Sequence, residues 1–411
     1  MTINRRSFVK SSVGLAGGML GVTAIAPVFA ESLGRFTRPL RVGVIGCGRQ
    51  GRAIVAELAS FESVELVGLC DTQPRRLTAA KRRARDADGY ATHAELLESA
   101  TPDAVFVATP THLHRSIAED ALSAGISVYC EAPLAHTAED ARAIVKAANA
   151  SSASFQSGYL ARTNPIYKHA RTFFRSDAVR DLVSMQASRA RKTTWRSPAR
   201  DATQDKLINW RLDPEVTTGL AGEWTSHQLD VFSWYTGRFP VSVQGQGSVR
   251  LHDDGRKVHD TITCTLTLDR GEPITCNATL ANSFEGTHEQ LRGTNAAIKL
   301  AETHGWMFKE ADAPTQGWEV YANRQQFHND EGIALVAGAT QLAEQGRLGE
   351  GIGLARTPLW YGIESFLRAV SEDTDIECTA EDGLCSTIVG IKAHEAVTTG
   401  STVQIDPAEL A

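Results

Sequence analysis

Between residues 40 and 160 the chain alternates short apolar runs with stretches of helical periodicity. The runs 40–45, 64–70, 104–108, 126–130 and 154–159 are brief and rich in Val and Ile. The segments 52–59, 75–84, 116–124 and 138–149 repeat apolar positions every three or four residues. Such alternation predicts β–α–β units, and therefore a doubly wound parallel sheet with helices on both faces over residues 38–160. From 161 onward the pattern changes. A helix is predicted at 165–175 and a strand at 182–190, followed by a long polar loop and a helix at 223–236. Residues 261–268 and 273–280 then alternate apolar and polar positions around Asp269-Arg270-Gly271-Glu272, a hairpin signal. Helices are expected again at 331–346, 357–371 and 381–399. Residues 161–411 thus read as an α+β domain with a large, mostly antiparallel open sheet. No Gly/Ser-rich linker separates the halves, so they are expected to pack tightly.

Composition narrows the class without naming a function. The 411 residues are 42% hydrophobic and 22% charged, which excludes collagen-like, disordered and small disulfide-rich scaffolds. The formal net charge is −6, so nothing points to a nucleic-acid partner. No internal apolar run reaches the roughly 20 residues of a membrane span. The 7 cysteines contain no CxxC pair, which argues against a zinc knuckle or a thioredoxin-like site. Cys47, Cys70 and Cys130 sit in or beside apolar runs and read as small buried hydrophobes. His112 and His114 lack an acidic companion motif, so no metal site is expected. Residues 1–30 form a different kind of segment. Arg5 and Arg6 precede a Gly- and Ala-rich apolar stretch that ends at Val28-Phe29-Ala30. This order resembles a twin-arginine export signal cleaved after Ala30, and it predicts a folded protein delivered to the periplasm or otherwise exported, with no membrane span left after cleavage.

The most informative local pattern is Gly46-Cys47-Gly48-Arg49-Gln50-Gly51. It follows a buried strand, opens a helix, and is followed by an acid, Asp71, at the end of the next strand. In a Rossmann turn Gly46 makes the bend, Gly48 lets a pyrophosphate reach the backbone, and Gly51 lets helix and strand pack. The helix N-terminus supplies free N–H groups. Asp71 would accept both ribose hydroxyls and repel a 2′-phosphate, which favours NAD. Arg75 and Arg76 follow closely and leave NADP open.

Further along come Ala108-Thr109-Pro110 with His112 and His114, then Glu131-Ala132-Pro133-Leu134, Arg162-Thr163-Asn164-Pro165 and Gly222-Glu223-Trp224-Thr225-Ser226-His227-Gln228-Leu229-Asp230. In this order and spacing the chain resembles the Gfo/Idh/MocA oxidoreductases. The resemblance implies a Rossmann domain, a C-terminal domain whose open sheet often forms a homo-oligomer interface, and carbohydrate substrates. It implies cofactor contacts at Arg49, Gln50, Arg76, Thr109, Pro110, His114 and Glu131 beside Gly46, Gly48, Gly51 and Asp71. His227 is expected to do the acid–base work, because a histidine titrates near neutrality. Glu223, four residues earlier on one helical face, would orient it or act itself. Arg162 is read as a substrate contact or an interdomain salt bridge. Asp230 and Trp195 are further substrate candidates, and Trp234 a possible floor. Arg189, Arg191, Lys192, Arg196 and Arg200 flank Trp195, as a solvated loop or as a recognition surface for an anionic or bulky glycan.

Two departures from the family pattern matter. Ala132 stands where the family usually has the lysine of Glu-Lys-Pro, and Glu223 stands where it usually has Asp. Three readings follow. The first is a nicotinamide-dependent oxidoreductase of a sugar, polyol or glycoside that keeps its cofactor. The second is a redox-neutral glycoside hydrolase working by oxidation, elimination, hydration and reduction. The third, motivated by Ala132, is a catalytically inactive sugar-binding relative.

Overall fold

The computed structural model describes residues 34–315, 319, 323–327, 330–336, 342 and 352–410, so the proposed export segment lies outside the described residues. The first layer contains β1 (Leu40–Ile45), α1 (Arg49–Leu58), β2 (Val64–Cys70), α2 (Pro74–Lys81), β3 (Asp88–Tyr90), α3 (His93–Ala100), β4 (Ala104–Val107), α4 (His114–Ser123), β5 (Ser127–Cys130), α5 (Ala138–Ala150) and β6 (Phe155–Ser157). The strands pair in parallel in the order β3-β2-β1-β4-β5-β6. That is the doubly wound arrangement, and its strand order reverses between β1 and β4. β1, β4 and β5 are buried nearly throughout, as strands covered on both faces must be. The apolar pattern does not predict β3 and α3, because β3 is three residues long and largely solvent-facing. The signal for α3 is the capping box at its start, where Thr92 and Glu95 bond each other's backbone N–H.

The second layer begins with α6 (Pro165–Arg175) and β7 (Leu182–Ala190), followed by α7 (Ala202–Ile208), a π-helical turn at Ala221–Thr225 and α8 (Ser226–Thr236). Then come β8 (Pro240–Ser248), β9 (Thr261–Leu268), β10 (Pro273–Thr279), β11 (Thr287–Gly293), β12 (Ala296–Ala301), β13 (His304–Lys309), β14 (Asn323–Phe327) and β15 (Asp330–Ala334), with α9 (Pro358–Glu372), α10 (Ala380–Thr399) and β16 (Val403–Gln404) last. Among the described residues the strands form one sheet in the order β14-β15-β13-β12-β11-β7-β10-β9-β8-β16. Every pairing is antiparallel except β7 with β10. β9 and β10 form the predicted hairpin, with Cys264 opposite Cys276. Period-2 alternation puts Ile262, Cys264, Leu266 and Leu268 into the core.

Two differences from the sequence pattern have physical causes. The helix predicted at 331–346 is contradicted at its start, since Asp330–Ala334 is a strand paired with β13 and β14; most of 337–351 lies outside the described residues. Burial of Ile333 and Ala334 on the sheet outweighs local helical periodicity. The N-terminal layer also does not end its core at residue 160. α9 crosses back and packs Trp360, Ile363, Phe366 and Leu367 against Leu40, Val42, Val44 and Phe106. α10 serves both cores, with Leu384 and Ile388 on the Rossmann side and Val389, Ala393 and Val397 on the other. The halves are therefore welded along two helices, and the groove between them is a fixed cleft.

Candidate active site

The glycine turn sits at the carboxyl end of β1, beside the switch point. Gly46 has φ +94°, and a Cβ there would stand 2.6 Å from the Ala108 carbonyl. At Gly51 a Cβ would stand 1.8 Å from the Gly46 oxygen, so any side chain would separate helix from strand. In front of Gly48 there is nothing within 4 Å. α1 starts with no side-chain cap and no acidic residue in its first turn. Its uncapped N–H groups and positive dipole end therefore face open space, as a pyrophosphate requires. Asp71, 8% exposed, accepts from Cys47 N at 2.8 Å and Gln73 N at 2.7 Å, which fixes its carboxylate at the rim of the turn. Thr109 Oγ1 is buried without a partner just past β4. An open cradle, a bare helix end and an orphaned hydroxyl along one groove are what a dinucleotide would fill. The fit to NAD is therefore borne by this chain's own atoms.

Two other predicted cofactor residues are held by the protein. Gln50 donates to Glu131 Oε1 at 2.9 Å, and burial pushes the Glu131 carboxyl up to about 7. His114 has its Nε2 3.1 Å from the Thr109 carbonyl and its Nδ1 3.2 Å from the Leu134 carbonyl. Burial lowers its proton affinity to about 4, against the pull of those carbonyls. Both nitrogens are thus engaged by backbone, so His114 shapes the cleft wall and has no free nitrogen to offer a ligand. Glu131 yields a direct prediction. A carboxyl raised from 4.5 to about 7 on folding contributes stability that is complete below pH 4.5 and lost as pH rises through 7, on the order of 3 kcal/mol. In cofactor-free protein, Glu131→Gln should raise the melting temperature relative to wild type more at pH 8 than at pH 5. An equal offset at both pH values would show that Glu131 does not carry this burial penalty.

On the facing side, His227 lies deep in the cleft with part of its ring open to it. It packs edge-on against Tyr159 at 5.2 Å, and the nearby backbone of Ala132, the position where the family lysine would stand, pulls its proton affinity up. Burial first, and the Arg189 guanidinium second, lower its proton affinity to about 3. It is therefore a neutral imidazole at ordinary pH, and the expectation that it titrates near neutrality does not hold, because burial weakens it as a base. Glu223 is not bonded to His227. Its Oε1 accepts from Thr111 at 2.8 Å and its Oε2 from Arg211 at 2.9 Å, so it braces the two domains across the cleft. Arg211 in turn stacks over Trp210 at 4.3 Å. Trp195, held at φ +61°, meets Trp224 edge-on at 5.5 Å.

Three substrate candidates belong elsewhere. Arg162 is 6% exposed and donates to both oxygens of the fully buried Asp230, at 2.9–3.2 Å, and pairs with Asp382 at 3.0 Å. Ser386 completes the Asp230 shell at 2.8 Å. Arg162, just past the end of the Rossmann layer, and Asp230 thus form an ion pair at the domain junction and do not line the cleft. Trp234 packs under Arg171, 4.9 Å from its guanidinium, and is likewise outside. Asp230 is three residues from His227 on α8, but α10 takes its flank through Ser386, and Arg171 of α6 covers Trp234.

The remaining predicted residues come together. A cleft of about 1280 Å³ runs from the glycine turn to the tryptophans, and among the predicted cofactor residues only Gly51, packed beneath the turn, is absent from its lining. Sequence reasoning misses Tyr167, Gln228 and Glu289 in this lining. The one available signal is Glu289, an acid at an inward position of an alternating strand. Lys206 is the only lysine among the described lining residues, and it sits on α7, whose Gln204 touches Gln73 beside Asp71. No lysine takes the place of Ala132 next to His227. No group of three or more metal-ligating side chains occurs among the described residues, and no helix among them is long and apolar enough to cross a membrane.

Comparison with known proteins places the chain in a family. The family described as "Oxidoreductase family, NAD-binding Rossmann fold" matches residues 40–159, and the "GFO/IDH/MocA C-terminal domain" matches 167–299. An inositol 2-dehydrogenase of Acidothermus cellulolyticus is 29% identical over 269 residues, covering 64% of this chain and 73% of the relative. A glycosyl hydrolase family 109 protein of Stenotrophomonas maltophilia is 26% identical over 323 residues, covering 66% and 68%. In fold, a levoglucosan dehydrogenase solved with NADH and levoglucosan superposes with a TM-score of 0.70 at 18% identity, covering 89% of this chain and 99% of that one. With an NAD-binding Rossmann domain, its matching C-terminal partner and the cleft between them, the chain belongs to the Gfo/Idh/MocA family of oxidoreductases.

Proposed function

We propose that the protein oxidises a secondary hydroxyl of a sugar, polyol or glycoside and keeps its NAD bound between turnovers. The observation that carries this is the placement of His227 in the same cleft as the Gly46–Gly48 cradle and Asp71. NAD, when bound, supplies the hydride acceptor. The chain's own residues do the rest. The N–H groups of α1 and the Asp71 carboxylate hold the dinucleotide's charged and hydroxyl groups. The neutral imidazole of His227 receives the proton of the substrate hydroxyl, which must leave as the carbon loses its hydride. Thr111, Glu223 and Arg211 keep the two walls at a fixed separation, and Trp195 with Trp224 offers an apolar face for a sugar ring. The open face of the ten-stranded sheet is where a second copy of the chain would dock.

A second reading has its own support. Ala132 removes the family's usual lysine, and the glycosyl hydrolase relative spans two thirds of this chain. In that reading oxidation activates the sugar for loss of its aglycone, and the same hydride returns afterwards. Chromogenic glycosides separate the two. Aglycone release without net reduced nicotinamide selects the hydrolase, and paired oxidation of one sugar with reduction of another selects the oxidoreductase.

The Arg5-Arg6 segment adds a location, since a twin-arginine signal carries folded, cofactor-loaded proteins out of the cytoplasm. Free NAD is scarce there, which is why retention belongs to the proposal. Arg5→Lys with Arg6→Lys should leave uncleaved precursor in the cytoplasmic fraction; normal export of the double variant would remove the export reading.

A further inference from the structure

The guanidinia around the cleft differ in their partners. Arg211, which lines it, is bonded by Glu223. Arg189, near the end of β7, lines the cleft, and its guanidinium has no hydrogen-bond or ion-pair partner among the described residues. Its guanidinium lies over the Trp224 ring, 5.0 Å from the centroid, which fixes its position. Burial lowers its proton affinity, and Glu302 and Glu289 offset this from beyond contact range. A desolvated guanidinium without a direct acceptor is costly, and an arrangement that keeps one in a cleft calls for an acceptor from outside. A second group beside it is also unsatisfied. Gln228, 1% exposed and adjacent to His227, spends its Nε2 on Ser188 O, His288 O and Glu289 Oε1 at 2.9, 3.1 and 3.2 Å. Those three acceptors fix the amide orientation and leave Oε1 buried with no donor.

One wall of the cleft thus presents an unspent planar donor and the His227 imidazole, while the Gln228 oxygen stays buried within the protein. We propose that Arg189 binds a carboxylate and that the substrate is an acidic sugar, a uronic or aldonic acid or a glycoside of one. This rests on the sugar-oxidoreductase reading and deepens it. A sugar acid offers the missing partner, a carboxylate for the fork of Arg189. Carboxylate is favoured over phosphate because Glu289 and Glu302 flank the guanidinium. Burial raises the Glu289 carboxyl to about 7, so it is partly neutral there, and whatever negative charge the two acids carry opposes a dianion about twice as strongly as a monoanion.

The test uses the mature full-length chain with its bound NAD and isothermal titration of D-glucuronate, D-galacturonate, D-gluconate, D-glucose and D-glucose 6-phosphate. At least one sugar acid should bind roughly tenfold to a hundredfold more tightly than its neutral parent, the range expected for a hydrogen bond to a charged group. Arg189→Leu should abolish that advantage. Arg189→Lys, a point charge without the fork, should keep only part of it, and NAD content serves as the folding control in both. Equal binding of acid and neutral parent by the wild-type chain overturns the proposal without needing either variant. So does an acid preference that survives in Arg189→Leu, or a phosphate preferred over every carboxylate. If neutral sugars bind and are oxidised with no acid preference, the proposal falls and the sugar reading stands. If no sugar binds, that reading falls and takes the proposal with it.

Discussion

His227→Ala is expected to lower turnover by about 10²- to 10⁴-fold, the usual contribution of a positioned acid–base group. The argument is one of elimination as well as placement. Ala132 cannot titrate, and no lysine stands near it in the described lining. Glu223 has both oxygens occupied, by Thr111 and Arg211. His114 has both nitrogens against carbonyls. His227 lines the cleft, packs edge-on against Tyr159 and is only partly buried. The loss should fall mainly on kcat, with NAD content unchanged, because nothing in the glycine cradle touches His227. Burial also fixes the pH behaviour. With its proton affinity lowered to about 3, the imidazole stays unprotonated from mildly acidic pH upward. The acid limb set by this group should therefore lie well below the ordinary histidine value of about 6.5. Steady-state kinetics of the variant decide the matter, and a drop of less than tenfold would move the role to another residue, with Glu223 the first to try. Restoring the family lysine with Ala132→Lys should not be required for activity.

The second large effect concerns stability. Asp230→Ala should cost about 3–5 kcal/mol, the range for removing one partner of a buried ion pair. Asp230 is fully buried, and its loss strips the 8%-exposed Arg162 side chain of three of its hydrogen bonds. Asp382, 35% exposed, would remain as the sole acceptor of that guanidinium. Because Arg162 joins the end of the Rossmann layer to α8 and α10, the loss should appear as earlier urea unfolding. Affinity for substrate in the folded variant should change little. Unaltered stability together with lost substrate binding would return Arg162 and Asp230 to the substrate site.

These residues also show where sequence stops being legible. The parallel sheet could be read because its strands are buried on both faces and its helices are amphipathic, so periodicity alone separates them. The glycine turn was equally open to reading, since each glycine answers a steric demand that the sequence states directly. Arg162 and Asp230 were not, because a helix presents several residues within reach of one another and only the packing of α10 decides which flank meets solvent. Arg189 was open to reading only as one of a basic cluster around Trp195, and its neighbour Glu289 was hidden for a related reason. They come from β7 and β11, which are adjacent in the sheet and about a hundred residues apart in the chain, and nothing local announces that pairing. The strand at Asp330–Ala334 shows the converse, a locally helical pattern overruled by the edge of a sheet.

The central claim is that a retained NAD and His227 act together on a carbohydrate within this cleft. Its most direct test is to purify the exported protein, dialyse it extensively, and follow nicotinamide absorbance as a sugar or glycoside is added without free NAD or an external acceptor. The account predicts NAD that copurifies, survives dialysis and is reduced at most once per site with no further build-up. Sustained production of NADH that depends on added free NAD would contradict it and would describe an ordinary dehydrogenase that releases its cofactor at every turn.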